Sequence, residues 1–185
     1  MKKQNRFIVS PTFLDEPVPE LERLAASDWQ INRPALPHGD QQVRMSAIHR
    51  PLAEFVSQAI AAKERPVSLA GDCCTAIGVL AGLQRAGIKP WMLWLDAHGD
   101  FNTPETSPSG FLGGMPLAMM TGRGDQTMPL AVGLQAFPEQ RIVLADGRDL
   151  DPEERQMIQA SAMRHVTDCE DLLTLPLPDG PLYVH

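Results

Sequence analysis

Asp96, His98 and Asp100 are the residues of this chain whose types and spacing are best suited to chemistry. They lie in the segment "WLDAHGD", at alternate positions where an apolar run ends. Alternate residues of an extended segment project to one side, so we expect the three side chains to converge. Two carboxylates and an imidazole form an oxygen and nitrogen ligand set that suits Mn²⁺ or a similar divalent ion. The pattern predicts a metal site able to lower the pKa of a bound water, although each residue alone is also an ordinary polar cap of a strand.

The elements that must position these residues alternate between strands and helices. Continuous apolar runs predict strands at "RFIVS", "PVSLAG", "PWMLWL", "RIVLAD" and "GPLYVH". Apolar residues at helical spacing predict helices over 43–63, over "TAIGVLAGLQRAG" and over "DPEERQMI", with Asp151 as N-cap and Pro152 at the first position of the last helix. This alternation predicts an α/β fold with a mainly parallel sheet, whose active site lies at the carboxyl ends of the strands.

Length, composition and charge exclude several classes of protein. The 185 residues suit a single domain over 1–185, with 43% hydrophobic and 21% charged residues. The net charge of -7, with scattered Lys and Arg, argues against a nucleic-acid partner. No apolar run approaches the roughly 18 residues that cross a bilayer, so we expect no membrane partner. The three cysteines, Cys73, Cys74 and Cys169, are an odd number that fits a reduced, cytoplasmic protein.

Four motifs identify a family resemblance. "AGDCC", "WLDAHGDFNTPETSPSGFLGGMPLA", "ADGRDLDPEE" and "PLYVH" occur in this order from about Val67 to the end of the chain. In order and spacing they resemble the ureohydrolase superfamily, the arginase and agmatinase family of dimanganese guanidino hydrolases. The "NTPxTxxSG" form is more similar to arginases. The resemblance implies a three-layer αβα fold around a mainly parallel sheet, with the C-terminal part missing from this chain.

The resemblance assigns roles to individual residues. It implies that Asp96, His98 and Asp100 are ligands in a site that holds two Mn²⁺ when complete. Asp100 would also move a proton to the leaving amine as general acid and base. Asn102 and Ser109 would hold the α-carboxylate of the substrate, since an amide and a hydroxyl are neutral donors. Both residue types are also common in turns, and the sequence leaves the two interpretations open.

The first departure from the family pattern is Cys73. The family usually reads G-G-D-H-S at the first strand end, with the His as a ligand, whereas this chain reads "AGDCC". We expect Cys73 to be a metal ligand, and Cys74 to be a small buried hydrophobe. A thiolate is softer than imidazole and prefers Zn²⁺ or Fe²⁺, so the site could hold one ion or another divalent metal. The same replacement of His by Cys occurs in a branch of the family that resembles hydroxyarginine-processing amidinohydrolases. This resemblance makes an N-modified arginine a candidate substrate.

Two further departures lie downstream. Arginases commonly read S-G-N-x-H-G, and here Phe111 replaces the Asn and Gly113 the His. Loss of a proton-carrying side chain costs on the order of 10²-fold in a general acid/base step. The second metal motif, D-x-D-x-x-D-P, would follow a strand like "PLYVH", and this chain stops at His185 before it. The sequence therefore predicts a domain that is incomplete at its C-terminus.

Three functional hypotheses follow. The first is a dimanganese ureohydrolase that cleaves a guanidino C–N bond of arginine or N-hydroxyarginine, giving urea or a urea analogue and an amine. The second is a truncated, non-catalytic arginase-like module for binding or subunit interaction. The third keeps the enzyme and changes the substrate to agmatine, guanidinobutyrate or formiminoglutamate. The resemblance implies a small guanidino substrate and a homo-oligomer, a trimer or hexamer.

Other candidate ligands receive structural interpretations. We expect His38 and His49 at the surface or an interface, His165 at a helix-to-strand junction, and His185 in a strand or beside the ligands. Arg148 is predicted to pair with a neighbouring acid. The methionines at 115, 119 and 120 are predicted to pack in the core.

Overall fold

The computed structural model describes residues 3–176 and 179–185. Backbone contacts divide the chain into two compact units, Met1–Ile88 with Gln126–Gln135, and Lys89–Asp125 with Ala136–His185. The single domain over 1–185 stays a prediction. The strands and helices confirm the predicted α/β class with mainly parallel sheets.

Nine strands and six α-helices are found in the described ranges. The strands are β1 (Asn5–Ser10), β2 (Thr12–Phe13), β3 (Glu16–Pro17), β4 (Gln30–Ile31), β5 (Arg65–Ala70), β6 (Trp91–Asp96), β7 (Ile142–Asp146), β8 (Arg164–Val166) and β9 (Leu182–Val184). The helices are α1 (Gln41–Ala61), α2 (Ala76–Arg85), α3 (Pro116–Met120), α4 (Thr127–Ala131), α5 (Pro152–Ala160) and α6 (Cys169–Thr174). Short 3₁₀ helices cover Pro19–Leu24, Cys73–Thr75, Leu112–Gly114 and Glu139–Arg141. Among the helices of the described ranges, none is both long and apolar enough to traverse a bilayer.

The first unit is built on a three-stranded parallel sheet in the order β4-β1-β5, beside the antiparallel pair β2-β3. Helix α1 begins where the Asp40 side chain accepts a hydrogen bond from the backbone N–H of Val43 at 2.9 Å. This cap satisfies one of the helix's first N–H groups, which otherwise lack partners. The predicted helix over 43–63 is thus confirmed, starting and ending two residues earlier.

Two glycines of α2 allow it to pack closely on α1. A Cβ atom at Gly82 would lie 2.5 Å from the Ala53 carbonyl oxygen and 2.6 Å from Cβ of Val56. A Cβ atom at Gly78 would lie 2.9 Å from the carbonyl oxygen of His49. Since these neighbours are backbone or branched side chains of α1, neither glycine can be enlarged without moving a helix.

We expect Gly82→Ala to lower the free energy of unfolding by up to about 2 kcal/mol. Overpacking a tight contact costs about 1–3 kcal/mol, which outweighs the roughly 1 kcal/mol that Ala contributes as a better helix former. Urea denaturation measures the change. Gly114→Ala is the control, because no neighbouring atom lies within 4 Å of its added Cβ. If the two variants were equally stable, the close approach of α1 and α2 would be wrong.

His49 lies in the core of the first unit, and the prediction of a surface or interface residue is wrong. Its side chain is 0% exposed, and neither ring nitrogen has a hydrogen-bond partner among the described residues. Burial lowers its pKa from 6.5 to about 3 because the charged imidazolium loses its hydration. Its position on α1 faces α2, a contact that helical spacing alone does not disclose. His38 is exposed, as predicted.

The buried imidazole predicts loss of stability in acid. The folded pKa of His49 lies below the unfolded value, so the unfolded state binds more protons as the pH falls below 6.5. Relative to His49→Leu, we expect the wild-type free energy of unfolding to fall by about 1.4 kcal/mol per pH unit between pH 6 and 4. Burial also raises the pKa of Asp72 to about 6, and this group is common to both proteins.

Chemical denaturation at several pH values measures this difference. His38→Leu, at an exposed histidine, is the matched control and should follow the wild-type profile. Parallel profiles for wild type and His49→Leu would contradict a buried, neutral His49.

The second unit is built on a four-stranded parallel sheet in the order β8-β7-β6-β9. Its strands are the predicted runs "PWMLWL", "RIVLAD" and "PLYVH", together with the short β8. One face packs a buried cluster made of Leu93, Val143, Ala145, Val166 and Leu175. The methionines at 115, 119 and 120 are buried on and beside α3, as predicted.

Candidate metal and substrate site

The D-A-H-G-D segment begins at the carboxyl end of β6. Asp96 is the last residue of the strand and pairs in register with Asp146 of β7. Its Oδ1 atom accepts a hydrogen bond from the backbone N–H of His98 at 2.8 Å and lies 3.2 Å from Nδ1 of the same residue. This turn brings a carboxylate oxygen and an imidazole nitrogen together, on a histidine side chain that is 60% exposed.

Asp100 is placed by a different geometry from the one that we expected. Its φ is +49°, in the left-handed region, so the chain is not extended between β6 and Asp100. Its carbonyl oxygen accepts from the N–H groups of Leu117 at 2.9 Å and Ala118 at 3.2 Å, at the start of α3. The expectation that strand alternation carries through all three residues is therefore wrong at Asp100, which is 4% exposed. Its roles as ligand and proton carrier stay predictions.

The donor atoms of Asp96 and His98 fit a divalent metal. Two ligand atoms 3.2 Å apart can both bind one ion at roughly 2 Å, the usual length of metal–oxygen and metal–nitrogen bonds. A carboxylate with an imidazole suits Mn²⁺ and similar ions. Asp149 lies beside the other ring nitrogen of this histidine, with its Oδ2 atom 3.7 Å from Nε2 of His98.

Glu154 of α5 holds the D-A-H-G-D turn through hydrogen bonds to the backbone. Its Oε1 accepts from the backbone N–H of Phe101 at 2.8 Å, and its carboxylate also accepts from the backbone N–H of Asp151. Glu154 is 3% exposed. Burial raises the pKa of its carboxyl group, whereas the two hydrogen bonds act in the opposite direction and lower it. A Cβ atom at Gly99 would lie 2.7 Å from Glu154 Oε1 and from Cδ1 of Ile158, so glycine is needed for α5 to approach.

We expect Glu154→Ala to loosen the D-A-H-G-D turn. Without the carboxylate the buried N–H of Phe101 has no acceptor, and an unsatisfied buried group costs about 1–3 kcal/mol. Amide hydrogen exchange at Phe101 should become at least tenfold faster in the variant. Glu153→Ala, at the exposed neighbour in the same helical turn, should leave this exchange unchanged. Equal protection in both variants would show that Glu154 does not hold the turn.

Asn102 is buried and held by two side chains. Its Nδ2 donates to Oδ2 of Asp151 at 3.0 Å, and its Oδ1 accepts from Oγ1 of Thr106 at 3.1 Å. These contacts support the turn interpretation, and a role in substrate binding stays a prediction. α5 begins after Asp151, as predicted, but the Asp151 side chain makes no capping hydrogen bond and contacts Asn102 instead. The sequence did not indicate this contact, because an Asp before a Pro is also the usual pattern of a helix start.

Ser109, Phe111 and Gly113 lie in the loop before α3. The hydroxyl of Ser109 is exposed and accepts from the backbone N–H of Phe111 at 3.2 Å. The side chain of Phe111 is 46% exposed and lies against Gly113, where an added Cβ would be 2.4 Å from the ring. The contact of Ser109 with substrate stays a prediction.

Asp146 organises the end of β7 next to Asp96. It has a φ of +83°, and its carboxylate pairs with Arg148, as predicted for that arginine. Its carbonyl oxygen lies 2.9 Å from Nε2 of His165, which belongs to β8 and not to a helix-to-strand junction. β8 is too short for a sequence pattern to show. A cavity of about 250 Å³ is lined here by Leu95, Asp96, Ala97, Ala145, Asp146, Val166, Asp168 and Leu172.

His185 continues the β9 ladder beside β6, which agrees with the predicted strand. Its N–H donates to the carbonyl of Leu93, and its carbonyl accepts from the N–H of Leu95, both at 2.9 Å. Its ring stacks on Trp94 with centroids 3.7 Å apart. Burial lowers the pKa of His185, and the charge of Asp96 opposes this.

The cysteine pair belongs to the first unit. Cys73 is half-buried at the start of the 3₁₀ helix after β5, and Cys74 is buried, as predicted. Asp72 precedes them and accepts from the N–H groups of Leu14 and Cys74, both at 2.9 Å. The role of Cys73 as a ligand stays a prediction. Cys169 begins α6, and its side chain lies outside the described part of the chain.

Comparisons with known proteins agree on one family. A family model, Arginase family, matches residues 13–174. The arginase of Bacillus subtilis (strain 168) is 36% identical over 148 residues, which are 76% of this chain and 49% of that protein. The arginase of Staphylococcus aureus (strain COL) is 38% identical over 112 residues, 60% of this chain and 37% of that protein. The chain therefore spans half or less of the length of these curated relatives.

Solved structures give the same result for the fold. The crystal structure of arginase from Bacillus subtilis matches with a TM-score of 0.70 and 30% identity, over 88% of this chain and 62% of that one. Arginase from Bacillus caldovelox matches with a TM-score of 0.73 and 26% identity, over 95% of this chain and 68% of that one. The match of the family model over most of the chain, together with these relatives, shows that this chain belongs to the arginase family.

Proposed function

We propose that this protein is a ureohydrolase that cleaves a guanidino C–N bond of arginine or an arginine-like substrate such as N-hydroxyarginine. The products are urea, or a urea analogue, and an amine. Membership of the arginase family supports the reaction class. The single observation that carries the proposal is the pairing of Asp96 Oδ1 with His98 Nδ1, 3.2 Å apart at the carboxyl end of β6.

The proposed cofactor is Mn²⁺, two ions in a complete site, or one ion or another divalent metal because of Cys73. Asp96 and His98 would hold metal through the paired atoms, with Asp100 and Cys73 as the further proposed ligands. When bound, the metal would acidify a water and stabilise negative charge during attack on the guanidinium carbon. Asp100 would take a proton and deliver it to the leaving amine, which needs a carboxylate within hydrogen-bonding reach of both.

The far end of the substrate would meet the loop after Asp100. Ser109 keeps an exposed hydroxyl that can donate to a polar group. Asn102 and Asp151 lie side by side, an amide next to a carboxylate. We propose that the Asp151 carboxylate attracts the α-ammonium group of an amino-acid substrate while Asn102 positions it. This adds Asp151 to the proposed substrate-binding residues Asn102 and Ser109.

The proposed protein acts in the cytoplasm as one arginase-like domain that forms a homo-oligomer, a trimer or hexamer. Its partner is a small guanidino compound rather than a nucleic acid or a membrane. The net charge of -7 supports a cationic ligand over a polyanion.

A second candidate is a non-catalytic arginase-like protein for binding or subunit interaction. Gly113 favours it, because glycine stands where the family resemblance places a proton-carrying histidine. The two candidates differ in turnover, since only the first predicts urea release.

Metal binding and urea release test the proposal together. After equilibration with Mn²⁺ and gel filtration, we expect bound manganese by elemental analysis, and urea from arginine or N-hydroxyarginine. Asp96→Asn removes an anionic ligand and should weaken Mn²⁺ binding at least tenfold, with urea release reduced at least as much.

Asp28→Asn is the matched control, since Asp28 is an exposed aspartate of the first unit. Manganese that stays bound in Asp96→Asn would contradict the proposed site. Bound manganese without urea from any guanidino compound would favour the non-catalytic candidate.

A further inference from the structure

We propose that the first unit carries a small-molecule site of its own, in the cavity beside the segment that follows β1. Its ligand is an uncharged molecule that joins a primary carboxamide group to an apolar body. The residues that line this cavity lie between positions 11 and 48, all in the first unit. The inference therefore does not depend on the proposed function.

The cavity is large enough for a small molecule and largely apolar. Its volume is about 340 Å³, and its apolar lining residues are Leu36, Ile48 and the prolines at 11, 17, 19 and 34. Small-molecule sites are typically apolar cavities in which a few polar groups fix the orientation of the ligand. A single water takes up only about 30 Å³, so this cavity has room for much more than one ordered water.

Asn32 supplies a buried acceptor at this cavity. It is 3% exposed, and its Nδ2 donates to Oγ of Ser10 at 2.9 Å and to the carbonyl oxygen of Ile48 at 3.0 Å. Because a carbonyl oxygen only accepts, this contact fixes which end of the amide is the nitrogen. The Oδ1 atom of Asn32 is buried and has no hydrogen-bond partner among the described residues. It is therefore left to accept an N–H group from a ligand.

Thr12 supplies a hydroxyl group at the same cavity. Its Oγ1 is also buried and has no hydrogen-bond partner in the part of the chain that the structure describes. An unpaired buried polar atom costs about 1–3 kcal/mol, so a ligand that pairs with Asn32 and Thr12 removes a cost that the free protein bears. A carboxamide offers N–H donors for Asn32 Oδ1 and a carbonyl oxygen that accepts from the Thr12 hydroxyl. The two unpaired atoms thus favour this class of ligand.

The carboxylates of the cavity are already paired with basic side chains. Asp15 is 6% exposed, its Oδ2 lies 2.7 Å from Nε of Arg44, and its Oδ1 accepts from Nε2 of Gln41 at 2.8 Å. Glu22, which also lines the cavity, pairs with the exposed Arg33. A charged ligand would have to break one of these ion pairs or lose its hydration without compensation. The charges therefore favour an uncharged ligand.

The test uses benzamide as the probe, with methyl benzoate and benzylammonium as comparison compounds. Methyl benzoate is uncharged and similar in shape but has no N–H donor, whereas benzylammonium has donors and a positive charge. Binding is followed by the NMR signals of the Asn32 side-chain NH₂ group in the full 185-residue chain. We expect a saturable shift with benzamide and about fivefold or weaker binding of the other two, since a hydrogen bond contributes about 1 kcal/mol.

Thr12→Val tests the site in a variant that keeps the fold. The substitution preserves the shape of the side chain and removes a hydroxyl without a partner among the described residues, so the Tm should stay the same or rise. The dissociation constant of benzamide should increase about fivefold, because its carbonyl oxygen loses a donor. Thr174→Val, at an exposed threonine of α6, is the matched control and should leave the constant unchanged.

Three results would overturn the inference. One is the absence of a saturable shift of the Asn32 signals up to the solubility limit of benzamide. Another is equal affinity of benzamide and methyl benzoate, or of wild type and Thr12→Val for benzamide. The third is a lower Tm for Thr12→Val, which would show that the hydroxyl is already paired in the free protein, for example with water. None of these measurements uses Mn²⁺ or urea release, so failure of the proposed function would not affect them.

Discussion

The candidate site depends on the buried carboxylate of Glu154. This carboxylate accepts hydrogen bonds from the backbone N–H of Phe101, at 2.8 Å, and from the backbone N–H of Asp151. It therefore holds both the turn after β6 and the first turn of α5. Because Glu154 is 3% exposed, water cannot replace it as an acceptor. Gly99 makes the arrangement sterically feasible, since its missing side chain lets α5 approach the turn.

The charge of the second unit follows from the same arrangement. Acidic side chains at Asp96, Asp100, Asp151 and Glu154 belong to or support the turn, while residues 101–115 contribute no positive charge. Such a set attracts divalent metals and guanidinium groups, which are both cationic.

The first unit is constrained by packing rather than by charge. Gly78 and Gly82 bring α2 against the backbone of α1, and His49 is enclosed in the same region with a pKa of about 3. A neutral buried imidazole is tolerated near neutral pH because deprotonation there costs little free energy. The glycines and the histidine were present in the sequence as ordinary helical residues, and only the helix contact gives them these roles.

The sequence by itself determined the α/β class, the longer strands and helices, and the position of the D-A-H-G-D segment at a strand end. Apolar runs, helical spacing and turn residues are features of short segments. They therefore predict which segments form strands, helices and turns. Tertiary structure decided the burial of His49, the left-handed Asp100, and the partnerships of Asn102 with Asp151 and of Phe101 with Glu154. These pairs are 49 and 53 residues apart, and they form only because α5 packs against the turn that follows β6. An acid in a first helical turn looks the same in sequence whether it faces water or a buried N–H group, because burial is a property of the packed elements and not of the segment.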